Sequence, residues 1–120
     1  MEESILRSVA KALGIPAPYE YFDPDLILHI NTILSVLVQL GAIDEETDYL
    51  ILDDQKTWRD VLRGSQLMSL AFSYMVIRVG LLFDPQQAAA VLDAKQKTAD
   101  ELAQRITWAA EKLDKDGENG

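Results

Sequence analysis

Apolar residues recur at helical spacing over most of the chain, and their pattern divides it into five helices, near residues 3–13, 24–40, 56–63, 65–83 and 85–113. The first is short and amphipathic, with Ile5, Leu6, Val9, Ala12 and Leu13 on one side and Gly14, Pro16 and Pro18 as stop signals. The second, Pro24 to Leu40, is apolar nearly all round, which places it at the centre of a domain, and Gly41 caps it. Ser65 to Phe83 is a second buried helix, with Gly80 allowing close approach of a neighbour. The last helix carries Ala88, Leu92, Lys95, Ala99, Leu102, Ile106, Ala109 and Leu113 at alternating spacings of four and three, a seam that needs the apolar helices beneath it. The expected core centres on Ile30, Ile33, Leu34, Leu37, Leu70, Tyr74, Ile77, Leu81, Leu92, Leu102 and Ile106.

Helix-start signals agree with this division. Phe-Asp-Pro occurs at 22–24 and again at 83–85, where the Asp carboxylate can accept from first-turn N–H groups and Pro needs no partner. Thr57 with Asp60 three residues later reads as a capping box for the brief third helix. The fold class is therefore all-α: a compact bundle of about five helices, one of them long and C-terminal, with a short extended segment near 49–52. Residues 1–113 form one domain, followed by a polar, flexible tail at 114–120.

The region 42–55 is the exception. Asp44, Glu45, Glu46 and Asp48 form an acidic loop, and Tyr49-Leu50-Ile51-Leu52 is an isolated extended run. Its backbone groups need partners, so it either plugs the core from a loop, the favoured reading, or adds Tyr49 and Ile51 to a neighbouring subunit.

The net charge of −9 is concentrated here: residues 42–60 carry −5. No basic stripe exists to grip phosphates, so backbone-clamping contact with nucleic acid is not expected. No cysteine is present, which removes disulfides and thiolate chemistry. The acidic start Met1-Glu2-Glu3 does not resemble a secretory signal, and the apolar runs 26–40 and 67–83 are short of a membrane span, with Arg78 inside the second. A protein made in the cytoplasm, without membrane contact, is expected.

Candidate chemistry is sparse. His29 is the only histidine and reads as a hydrogen-bonded core residue, and no catalytic triad, phosphate loop, HExxH or Glu-x-x-His pair occurs. Glu45-Glu46 and Asp53-Asp54 read as solvated carboxylates, and residues 114–118 lack the spacing of a calcium loop. No cofactor, metal or catalytic residue is assigned. Two residues stand out as protein contacts. Arg78, inside an apolar helix, must pair with Asp84 or Asp23 or cross a subunit interface. Trp108, with Arg105 three residues earlier, lies off the seam and either packs on the first helix or anchors a partner.

The segment Tyr74 to Pro85, the element Asp54-x-x-Thr57-Trp58-x-Asp60 and His29-Ile30-Asn31 within an apolar helix together resemble the small head-to-tail connector proteins of tailed bacteriophages and prophages, in the same order and from Ile5 to about Ala110. The resemblance implies a non-enzymatic helical adaptor of the virion. Such a protein docks below the portal as a ring, typically twelvefold, and presents a surface for the tail or stopper. DNA would pass through without specific binding, so Asp44, Glu45, Glu46 and Asp48 become candidates for facing the channel or its rim, against the plain reading of a solvated outer loop. Two rivals from other classes are a host helical regulatory module, which would need an exposed apolar groove, and a carboxylate-based enzyme, which would need converging acids in a cleft.

Overall fold

The computed structural model describes residues 4–15, 21–83 and 87–119. Helix α1 (Ile5–Ala12) starts where the Ser4 hydroxyl accepts from the Arg7 N–H at 3.0 Å. It buries Ile5, Leu6, Val9 and Ala10, and Gly14 follows it with φ +74°. Helix α2 (Asp23–Leu40) buries Leu26, Ile30, Ile33, Leu34 and Leu37 and ends on Gly41, whose φ of +93° is the left-handed cap that glycine adopts without strain. A single turn, α3 (Trp58–Val61), and a 3-10 turn (Ser65–Leu67) lead into α4 (Met68–Phe83). Helix α5 (Ala89–Asn119) completes the all-α bundle. At 1.5 Å per residue its 31 residues match the 46 Å long axis of the molecule.

The largest helix contacts are those of α4 with α5 and with α2. Ser65–Phe83 is apolar and long enough to cross a membrane by length and composition alone. Within the bundle, Leu67, Ala71, Tyr74, Met75 and Val79 are its buried face. This corrects the expected core, since Leu70, Ile77 and Leu81 are only half-buried. An all-apolar helix has no polar face to fix its rotation, and the small Ala71 side is the one that lets neighbours approach. Along α5 Ala99 and Ile106 of the expected seam are buried, whereas Leu92, Leu102, Ala109 and Leu113 are half-buried, Ala88 is exposed, and Ala110 rather than Ala109 is the buried position of the last turns. His29 is also half-buried rather than a core residue.

Three helix boundaries differ from expectation. At α2 the Asp23 carboxylate makes no cap bond; it pairs instead with Arg7 of α1, and Pro24 still occupies the first turn. Helix α5 begins at Ala89 rather than 85, and Asp84, the second proposed cap, lies outside the described residues. At its other end α5 runs on to Asn119, past the expected stop at Leu113. Asp114 pairs there with Arg63, whose guanidinium also donates to the Gly41 carbonyl at 2.9 Å, so the extra turn is tied to the end of α2. Phe22 and Phe83, the first residues of the two Phe-Asp-Pro motifs, lie edge-to-face with ring centres 5.8 Å apart.

Candidate interaction surface

No strand occurs among the described residues; 42–57 is a loop stitched down at intervals. At its start the Arg63 N–H donates to the Ala42 carbonyl at 3.0 Å, and at its end the Ile5 N–H donates to Lys56 O at 2.9 Å. In between, the Ile51 N–H donates to Asn31 Oδ1 at 2.8 Å and Asn31 Nδ2 donates back to Ile51 O at 2.9 Å. The Asn31 amide thus acts as a one-residue strand partner supplied by α2. Lys56 Nζ donates to the carbonyls of Asp48 and Leu50 at 2.6 and 2.9 Å. The apolar plug expected of this loop is Ile51, only 2% exposed.

That geometry favours the plug over pairing with a neighbouring subunit. Ile51 offers a neighbouring subunit neither its side chain nor its backbone groups, and Tyr49 is half-buried with its hydroxyl 3.3 Å from Ser35 Oγ. Because side chains alternate along an extended segment, the outward pair is Leu50 and Leu52, 48% and 89% exposed. Four apolar residues in a row carry no alternation to set which side faces out, and the anchoring of Ile51 by Asn31 decides it.

Among the other candidates, Asp44, Glu45, Glu46 and Asp48 are all exposed. Asp44 Oδ1 accepts from the Glu46 N–H at 3.2 Å, which closes the turn locally. Arg78 is half-buried; its guanidinium donates to the Tyr74 hydroxyl and lies 5.4 Å from the centre of that ring. Asp23 is not its partner, being paired with Arg7. Trp108 is 58% exposed on α5, and Arg105, three residues before it, pairs with Glu101 at 2.7 Å. Arg105 and Trp108 both lie on α5, and Arg78 lies on α4.

The chemistry of the clefts is modest. One of about 620 Å³ is largely apolar, between Leu13, Phe22, Ile77 and Phe83, with Lys95 at its edge. Another, about 510 Å³, runs beside Leu50 and Leu52 and is lined by Asp48, Asp53 and Asp60. Asp53 accepts from the Gln55 N–H at 3.0 Å. Asp60 accepts from the Thr57 N–H at 2.8 Å, and this bond, then the Thr57 hydroxyl, holds its carboxyl below the ordinary aspartate range. A general acid needs the opposite shift. Among the described residues no three carboxylate or imidazole groups converge to hold a metal ion.

The family model for phage connector proteins matches residues 5–113. The chain belongs to the phage connector proteins. The connector family places it in the virion at the interface of head and tail, as a structural component. The matched span runs from the first residue of α1 to the last apolar seam position of α5. No curated protein and no solved structure matches this connector.

Proposed function

We propose that this connector is a non-enzymatic adaptor that docks to the portal as a ring, typically twelvefold, and joins the DNA-filled head to the tail or stopper. The family match across 5–113 is the observation that carries this reading. In this account residues 1–113 act as one adaptor domain. Trp108 and Arg105 on α5 serve as the contact to a neighbouring chain, since an exposed Trp beside an Arg is the composition of an interface hot spot. Arg78 contributes to the same assembly from α4.

Asp44, Glu45, Glu46 and Asp48 face the channel or its rim, where their charge keeps DNA phosphates from adhering. Their exposure in the subunit suits that position. The cytoplasm of the bacterial host is where the subunit is made before assembly.

Genetic removal of the chain tests the reading. DNA-filled heads without tails should accumulate, and mass spectrometry of wild-type particles should find the protein in them. Normal tailed particles lacking the protein would overturn it.

A further inference from the structure

We propose that the outer face of the loop, centred on Leu50 and Leu52, is a docking site for a basic segment of a second protein that carries aliphatic side chains between its cations. This goes beyond the adaptor reading and rests on the isolated chain alone. A leucine 89% exposed beside another 48% exposed is an apolar pair held out in water. The inward turn of Ile51 throws both to the same side. The strip is also rigid, fixed by Asn31 to Ile51 and by Lys56 to the carbonyls of Asp48 and Leu50. Little ordering is then left to be done when a partner arrives.

Charge selects the occupant. The cleft alongside, about 510 Å³, presents the carboxylates of Asp48, Asp53 and Asp60. Its cation, Lys56, is committed to two backbone carbonyls and lies 3.8 Å from the Asp48 carboxylate, which leaves Asp53 and Asp60 as the uncompensated acids of the rim. A partner therefore meets leucines inside a negative rim, which attracts Lys and Arg and repels phosphates. A second copy of this chain fits poorly. It carries −9 overall, and its Arg7, Arg63 and Lys97 already pair with its own Asp23, Asp114 and Asp93.

The test is an NMR titration of the ¹⁵N-labelled full chain with the synthetic peptide Lys-Leu-Lys-Lys-Leu-Lys, blocked at both ends. Saturable amide shifts should concentrate on Leu50 to Lys56. Replacing both peptide leucines with serine, or using the Leu50→Ser/Leu52→Ser protein, should weaken binding about tenfold or more, because two apolar contacts are lost. Raising salt from about 50 to about 300 mM should weaken it further. The proposal is overturned by equal binding of the serine peptide or of a Glu-Leu peptide, by shifts spread over Asp93, Glu101 and Asp116, or by no shift at all. It is likewise overturned if the Leu50–Lys56 amides shift with protein concentration alone, which would assign the face to self-association. The peptide comparison keeps the test decisive even if the double variant unfolds.

Discussion

Asn31 and Ile51, twenty residues apart, exchange two hydrogen bonds, the amide side chain of a helix serving both backbone groups of a loop residue. Removing that amide strands a donor and an acceptor beside the core. Asn31→Leu should therefore destabilise the protein by about 1–3 kcal/mol. Asn31→Asp keeps the acceptor and loses the donor, so it should fall between. Urea unfolding with an unchanged m-value is the measurement; a Leu variant as stable as the parent would mean the loop is held by Ile51 packing alone.

Gly41 closes α2 with φ +93°, and a Cβ built there would lie 2.9 Å from Ala110 Cβ of α5. Gly41→Ala meets two penalties at once, backbone strain and a collision between helices, and should cost more than about 1 kcal/mol. Ala110→Gly should relieve the collision but not the strain. Thermal melts of the two single variants and the double variant should show the double recovering part of the Gly41→Ala loss; no recovery would place the whole cost in the backbone.

Asp60 gives a pH signature. Its carboxyl is held below the ordinary range by Thr57, so its contribution to stability is fully present above the unfolded-state value near about pH 4 and is lost as pH falls through the lower folded value. The stability gap between the parent and Asp60→Ala should be constant at neutral pH and shrink on acidification below about pH 4. Denaturant midpoints collected down the pH range report it. A gap that widens in acid would contradict the capping role.

Much of this fold is legible in the sequence, for identifiable reasons. Gly14 and Gly41 stop their helices because the chain must turn left-handed there, and Thr57 with Asp60 starts α3 as a capping box. What periodicity could not give was rotation. On α4 the buried face is Ala71, Tyr74, Met75 and Val79, because apolar residues on every side leave the choice to neighbouring helices. The exposure of the candidate surface was half legible: the four acids and Trp108 are exposed, but along 49–52 the exposed side chains are Leu50 and Leu52 rather than Tyr49 and Ile51. That choice depends on Asn31, whose partner lies in another element. The repeated Phe-Asp-Pro misled as a cap signal at 23 because the helix starts one residue earlier than expected, with Phe22 at the cap position, and the Asp23 carboxylate pairs with Arg7, sixteen residues earlier in sequence.

If the acidic turn faces the DNA channel, reversing its charge should slow DNA exit. Changing Asp44, Glu45, Glu46 and Asp48 to Lys should leave the isolated fold nearly as stable as the parent, since exposed substitutions usually change stability by less than about 0.5 kcal/mol. In virions the same change should retard ejection and make it more dependent on salt. Ejection kinetics identical to the parent at low salt would remove the turn from the channel.

The portal-docked ring is tested most directly by electron microscopy of the purified connector mixed with its matching portal. The account predicts added density as a closed ring below the portal, with α5 and Trp108 at a protein contact and the acidic turn toward the axis. A portal that stays bare at saturating connector, or a connector bound elsewhere as single copies, would contradict it.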